Sequence, residues 1–134
     1  MNSYEFTYEV RLDDLDYMNI VGNANWLIFL ERTRIDLLKA IGFPFSELQK
    51  LNIGGVVAES HIKYIRPAKF EDQLTFTITP NDLFEHGFHL TYKAINQLKV
   101  VCLTANFKIV IVNQSGRPTP VPEKLRLCLL DSPK

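Results

Sequence analysis

The sequence is short of several features that mark common classes of protein. Its 134 residues carry fifteen basic and fifteen acidic side chains, so no net charge draws the protein toward nucleic acid or an anionic membrane. The two cysteines, Cys102 and Cys128, have no CxxC spacing and are too few for a disulfide framework. The first residues, 1–5, form neither the basic nor the apolar region of a signal peptide, and no apolar run reaches membrane-spanning length. We therefore expect a cytoplasmic protein without a membrane span that binds no nucleic acid.

Several catalytic signatures are absent as well. No GxSxG motif surrounds a serine, and neither GxGxxG nor a Walker pattern occurs, which argues against triad hydrolysis and nucleotide-phosphate binding. The three histidines, His61, His86 and His89, do not follow the spacing of a metal site. We predict no metal and no bound cofactor.

The pattern of apolar residues predicts one strand followed by one long helix. Apolar side chains occupy every second position from Tyr4 to Leu12, as in a half-buried strand. The helix is expected to begin near Asn23 and to end near Ile41, before a stop signal of Gly42 and Pro44.

The remainder of the chain reads mainly as strands. After a short turn at residues 46–49, strands are predicted at residues 56–65, 74–79, 87–95 and 99–112. The last of these is almost continuously apolar and should lie inside the sheet. Turns at residues 96–97 and 113–116 favour antiparallel neighbours, and three prolines after residue 117 lead into a short tail.

These elements predict an α+β fold with the order β-α-β-β-β-β in a single domain, residues 1–134. Residues 26–30 of the helix are apolar on all sides, so protein must cover nearly its whole circumference. A curved antiparallel sheet wrapped around the helix covers only part of it. A second copy of the chain would complete the cover, and we expect an oligomer.

An acidic turn precedes the helix. Asp13, Asp14 and Asp16 place three carboxylates within four residues, directly before a helix N-terminus that favours negative charge. One interpretation is helix capping within a solvated loop. The other is an ionised carboxylate that attacks or activates water while backbone N–H groups hold a developing oxyanion.

Residues 10–27 resemble the signature of hot-dog-fold acyl thioesterases of the 4-hydroxybenzoyl-CoA thioesterase type, in particular the bacterial acyl-CoA branch and the related plant acyl-carrier-protein enzymes. The similar features are the acidic D-x-D ending at Asp16, the V-x-N-A stretch from Val21 to Ala24, and an E-x-x-R helix motif from Glu31 to Arg34. The resemblance continues through residues 56–68, 72–74 and 116–118. It implies a five-stranded antiparallel sheet around one long helix.

The resemblance also implies an activity and a site. The reaction would be hydrolysis of an acyl thioester of coenzyme A or acyl-carrier protein, which is part of the substrate and not a separate cofactor. Asp16 would act as nucleophile or general base, and a backbone N–H near Asn23 would bind the thioester carbonyl. The substrate-binding residues would be Tyr17, Asn19, Trp26, Glu59 and Ser60, in a homodimer or homotetramer.

The chain departs from the pattern of the family that it resembles at positions that affect the pocket. Asn19 stands where glycine is common, and Trp26 stands where tyrosine is common. The loop at residues 84–87 lacks the basic cluster found in some coenzyme A-using members. The candidates for phosphate binding are Lys63, Arg66, Lys69 and Lys93.

Glu59 has two interpretations. By strand parity it shares a face with Val57, His61 and Lys63. It is either a carboxylate near the partner's site or part of a salt bridge at the surface or interface.

Three other functions stay open at this point. The protein could be a non-catalytic acyl-thioester-binding module, or a dehydratase or hydratase, which would need a histidine paired with an acid. It could also have a cystatin-like fold, in which Asp16 has no special role. The sequence leaves the acyl chain and its carrier open.

Overall fold

The computed structural model describes residues 1–130, so residues 131–134 of the predicted domain lie outside it. The strands are β1 (Tyr4–Glu9), β2 (Ile53–Tyr64), β3 (Gln73–Phe84), β4 (Gly87–Ile95) and β5 (Val101–Asn113). The helices are α1 (Asn23–Ala40), α2 (Phe45–Lys50) and α3 (Glu123–Leu130). The predicted α+β class and the order of strands and long helix are confirmed, with two short helices added.

All five strands form one antiparallel sheet in the order β1-β3-β4-β5-β2. Strand β5 lies between β4 and β2, which confirms the interior position expected from its apolar sequence. Strands β1 and β2 form the two edges. Strand β2 has twelve residues against six in β1, so the longer edge is β2.

Helix α1 packs on one face of the sheet through a cluster of aromatic rings. Tyr8 and Trp26 each contact both Phe29 and Phe76, which also contact each other, with ring centroids 5.8 to 6.2 Å apart in these five pairs. The Tyr8 hydroxyl also donates a hydrogen bond to the Asp36 carboxylate, and burial together with this bond raises the pKa of Tyr8. These contacts fix α1 to β1 and β3.

The apolar first part of α1 is only partly covered within one chain. Trp26, Phe29 and Leu30 are buried, but 43% of Leu27 and 50% of Ile28 remain exposed. The sheet therefore covers one side of the helix, as expected, and leaves the other side open.

Two strand predictions need correction. Leu12 does not continue β1, because the chain turns into a 3-10 helix at Leu12–Asp14 and leaves this side chain 70% exposed. Strand β3 does not end at residue 79 but runs to Phe84, with Pro80 paired to Leu90. Proline is tolerated there because it lies beyond Tyr4–Ile78, the last residue pair between β1 and β3 at that end. Past this pair β3 has β4 as its strand neighbour on one side only.

Two short helices were not predicted. Residues 46–49, expected to form a turn, belong to α2, which follows Pro44 and has Glu47 in its first turn and Lys50 in its last. The expected C-terminal tail contains α3 directly after Pro122. Leu125 and Leu129 of α3 are 0% and 1% exposed, so this helix belongs to the core.

No helix among residues 1–130 combines the length and the apolar character needed to cross a membrane.

Candidate active site

The acidic turn is shaped by Asp14. Its Oδ2 accepts a hydrogen bond of 2.8 Å from the backbone N–H of Arg11 across the 3-10 helix. Farther along, Leu15 forms an isolated bridge with Val21, whose N–H donates to the carbonyl of Ala68 at 2.8 Å. The turn is therefore closed on itself and tied to the loop after β2. Asp14 thus holds the turn in shape, while Asp13 is exposed.

Asp16 lies inside this closed turn. Its N–H donates to the carbonyl of Ile20 at 2.8 Å, and its Oδ1 accepts from the N–H of Met18 at 2.8 Å. Asn19 has a φ of 63° and donates its N–H to the Asp16 carbonyl at 3.0 Å. The second carboxylate oxygen, Oδ2, has no hydrogen-bond partner among residues 1–130. One oxygen is thus held in place and the other is available.

The start of α1 is not capped by a side chain. Gly22 is the N-cap residue and no side-chain cap bond forms, so the expected capping by a carboxylate does not occur. Within residues 1–130 the N–H groups of residues 23–25 have no acceptor, whereas the N–H of Trp26 bonds to the Gly22 carbonyl. Free N–H groups and the helix dipole make this end of α1 favourable for negative charge.

A cavity of about 380 Å³ joins Asp16 to the helix start. The acidic turn, the first turn of α1 and the end of β2 with the loop after it form its walls. Its lining residues are Asp16, Ile20, Val21, Asn23, Trp26, Tyr64, Ile65, Arg66 and Pro67. The space is large enough for a small organic ligand. We refer to it as the Asp16 cavity.

Tyr64 also lines the Asp16 cavity, although the sequence did not predict it as a site residue. Its hydroxyl donates a hydrogen bond to Oδ1 of Asn23, which joins the end of β2 to the start of α1. The only local signal was its position at the end of a strand, before Arg66 and Pro67. The contact itself depends on the tertiary fold and has no pattern in the sequence.

The other predicted site residues of the first half of the chain, catalytic Asn23 and substrate-binding Tyr17, Asn19 and Trp26, are placed differently. Asn23 and Trp26 line the Asp16 cavity. Tyr17 is 93% exposed, and neither it nor the exposed Asn19 lines this cavity within one chain. The role of Asn19 in the structure is its left-handed backbone conformation, which closes the turn around Asp16.

Glu59 and Ser60 lie on β2 at a different cavity, of about 330 Å³. A bulge between Val57 and Glu59 changes the strand parity there, since Val57 is opposite Ile109 and Glu59 is opposite Lys108. Strand parity predicted that Glu59 shares a face with Val57. This prediction is wrong, because the bulge places the two side chains on opposite faces. Its carboxylate lies 3.9 Å from the Lys108 ammonium, in agreement with the salt-bridge interpretation.

Among the four basic residues considered for phosphate binding, Arg66 lines the Asp16 cavity, and Lys63, Lys69 and Lys93 do not. Residues 1–130 contain no group of three or more His, Cys, Asp or Glu side chains placed to hold a metal ion.

The arrangement is suited to chemistry at a carbonyl carbon. A carboxylate oxygen without a partner can attack that carbon or take a proton from water. Free N–H groups beside it can stabilise the negative charge that develops on the carbonyl oxygen.

Comparisons with known proteins agree with this chemistry. A family model described as the thioesterase-like superfamily matches residues 10–129. YneP of Bacillus subtilis, provisionally named an acyl-CoA thioesterase, is 36% identical over 114 residues, 82% of this chain and 80% of that protein. YbgC of Escherichia coli, named an acyl-CoA thioester hydrolase, is 23% identical over 128 residues, 93% of this chain and 96% of that protein. The structure of a 1,4-dihydroxy-2-naphthoyl-CoA thioesterase from Synechocystis is similar in fold, with a TM-score of 0.89 and 17% identity over 98% of this chain and 100% of that one.

Proposed function

The chain belongs to the thioesterase-like superfamily, and on that premise we propose that it hydrolyses acyl-coenzyme A at the Asp16 cavity. Its membership confirms the family resemblance seen in the sequence. It also confirms the predicted activity class, a thioester hydrolase. The similarity to a solved thioesterase likewise confirms the hot-dog fold. The observation that carries the proposal is the Asp16 side chain at the cavity wall, whose Oδ1 is held by the N–H of Met18 and whose Oδ2 has no hydrogen-bond partner among residues 1–130.

The proposed reaction breaks the bond between the acyl carbon and sulfur. The thioester oxygen accepts hydrogen bonds at the start of α1, including one from the N–H of Asn23, which polarises the carbonyl. Asp16 then acts in one of two ways. As a nucleophile it forms an acyl anhydride, the thiolate leaves and takes a proton from water, and water hydrolyses the anhydride. As a general base it takes a proton from the attacking water and passes that proton to the departing thiolate, which restores the carboxylate.

Asp16→Asn tests the role of this carboxylate. The variant keeps the shape of the side chain but loses its nucleophilic and basic oxygen, so we expect kcat to fall by at least about 100-fold. The measurement is thiol release from a panel of acyl-coenzyme A substrates of different chain length, both aliphatic and aromatic. Asp13→Asn, in the same turn but exposed, is the matched control and should keep wild-type activity.

Two outcomes of this experiment contradict the proposal. An Asp16→Asn variant that hydrolyses the best substrate at the wild-type rate would remove Asp16 from the reaction. Tight binding of acyl-coenzyme A by the wild-type protein without thiol release would assign the chain to the non-catalytic binding modules instead.

The walls of the cavity indicate which kind of substrate it can bind. Ile20, Val21, Trp26 and Ile65 offer apolar surface for an acyl group. Arg66 is the basic residue at the cavity, and a guanidinium suits phosphate groups. We assign Arg66 to the phosphates of coenzyme A, and acyl-carrier protein is the alternative carrier.

We propose further that the active form is an oligomer in which a second copy covers β2. This edge strand has twelve residues, and Val56 and Val57 are 44% and 42% exposed although they lie on opposite faces. An unpaired strand edge of this length readily pairs with another chain. Because Tyr64, at the end of β2, lines the Asp16 cavity, a partner on this edge would enclose the cavity further.

A further inference from the structure

A side-chain hydrogen bond joins the end of β2 to the start of α1, two walls of the Asp16 cavity. Tyr64 is the last residue of β2, and Asn23 is the first residue of α1. The Tyr64 hydroxyl donates to Oδ1 of Asn23, and both side chains line the cavity together with Asp16.

The backbone around Tyr64 is fixed on the sheet. Tyr64 is opposite Leu103 on β5. The next two N–H groups, those of Ile65 and Arg66, both bond to the carbonyl of Cys102, at 2.9 and 3.2 Å. The phenol is thus attached to a rigid strand end, and its hydroxyl can hold the group that it touches.

The amide of Asn23 is oriented by this contact. A side-chain amide has one oxygen that accepts and one nitrogen with two N–H donors. Since Oδ1 accepts from Tyr64, both donors of Nδ2 remain, and they have no acceptor among residues 1–130. The unpaired Nδ2 group belongs to a residue that lines the same cavity as Asp16.

We propose that the side-chain amide of Asn23 donates a second hydrogen bond to the thioester oxygen, next to the backbone N–H, and that Tyr64 is the positioning residue that orients this amide. The inference rests on the proposed hydrolysis at Asp16. Tyr64 does not touch the reacting atoms. Its contribution is to keep Nδ2 directed at the oxygen on which negative charge develops.

A kinetic double-mutant cycle tests this inference. The proteins are wild type, Tyr64→Phe, Asn23→Ala and the double variant, assayed on the acyl-coenzyme A that wild type hydrolyses fastest. Loss of an oxyanion donor lowers kcat by about 100-fold, so we expect that effect for Asn23→Ala. We expect about a tenfold loss for Tyr64→Phe, with KM changed less than about twofold, because the amide is still present but less well oriented. In the Asn23→Ala background, Tyr64→Phe should have no further effect.

Controls separate this effect from a change in folding. Tyr4→Phe removes a hydroxyl on the opposite edge strand, away from the Asp16 cavity, and should leave kcat unchanged. The urea midpoint of each variant reports whether it is folded, and Asn23→Ser replaces Asn23→Ala if the alanine variant does not fold.

The inference is overturned if Tyr64→Phe has the wild-type kcat, or if it lowers kcat by the same factor with and without the Asn23 side chain. Failure of the proposed function looks different. In that case wild type releases no thiol, or Asp16→Asn is fully active, and both proposals are lost together. If Asp16→Asn is inactive while Tyr64→Phe is unaffected, only the role of Tyr64 is refuted.

Discussion

At the scale of single residues, Gly22 sets the distance between the Asp16 side chain and the helix start. Its φ of −76° is accessible to any residue, so glycine is not needed there for its backbone conformation. It is needed for space, because a β-carbon at this position would lie 3.1 Å from Cβ of Asp16. Carbon atoms in good contact are about 3.5–4.0 Å apart. The absence of a side chain at Gly22 therefore allows Asp16 to lie against α1.

Gly22→Ala should reduce activity more than stability. The added methyl group must push Asp16 or the helix start aside by a few tenths of an ångström, and misplaced reacting groups are costly in rate. We expect kcat to fall by about tenfold and the free energy of unfolding to change by less than about 1 kcal/mol. Thiol-release kinetics and urea unfolding measure the two effects. A variant with the wild-type kcat would show that the close contact between Gly22 and Asp16 has no catalytic value.

At the scale of elements, Asp72 joins segments that are distant in the sequence. It is 4% exposed, and its Oδ2 accepts from the N–H of Lys69 at 3.0 Å. Its Oδ1 accepts from Nε2 of Gln97, in the turn between β4 and β5, at 2.9 Å. Its carbonyl accepts from the N–H of Val10, after β1, at 2.9 Å. The Asp72 side chain thus connects the loop before β3 with the turn after β4, and its backbone carbonyl adds the end of β1.

Asp72→Ala should destabilise the fold. It removes two hydrogen bonds to a charged acceptor and leaves the amide of Gln97 without its buried partner, which together should cost about 3 kcal/mol. The free energy of unfolding from urea titration is the measurement. Asp13→Ala is the control, since this exposed carboxylate should change stability by less than about 0.5 kcal/mol. Equal stability of the two variants would contradict the role of Asp72.

How well each element could be predicted depends on whether its pattern is local. Strand β4 and helix α1 follow from side-chain periodicity, and their predicted bounds agree with the structure to within one or two residues. Helix α3 was missed because three nearby prolines suggested a tail, although Pro122 is a favourable residue just before a helix. Strand β3 was predicted too short because whether Pro80 fits depends on where β1 ends, and this is a tertiary property.

The residues of the candidate site also divide into those with a local sequence pattern and those placed by the tertiary fold. Asp16, Asn23 and Trp26 are close in sequence and could be predicted together from one motif. Tyr64 could not, because it meets Asn23 only after β2 has paired with β5 and its end has reached the start of α1.

At the scale of the whole molecule, the two edges of the sheet differ in a way that favours one of them for association. Strand β1 is short and Tyr8 at its inner face packs on α1. Strand β2 is twice as long and ends at the Asp16 cavity. Assembly through β2 would therefore couple oligomeric state to the shape of the cavity.

Val57→Lys should weaken that assembly. A lysine on an edge strand opposes pairing with a second strand, and here two copies of the charge would approach each other. We expect wild type to elute as a dimer or tetramer in light-scattering chromatography and the variant to shift toward the monomer, with lower activity. Thr7→Lys, which places the same charge on the β1 edge, should keep the wild-type mass. A monomeric wild type at micromolar concentration would refute assembly through β2.

The position of Trp26 gives the protein an optical reporter of its own. It is the only tryptophan in the chain, it is 3% exposed, and it forms part of the wall of the Asp16 cavity. Indole emission depends on the polarity and the quenchers around the ring, so all of the tryptophan fluorescence of this protein originates beside the candidate site. Ligand occupancy can therefore be followed without a label, even in a variant such as Asp16→Asn that is designed not to turn over.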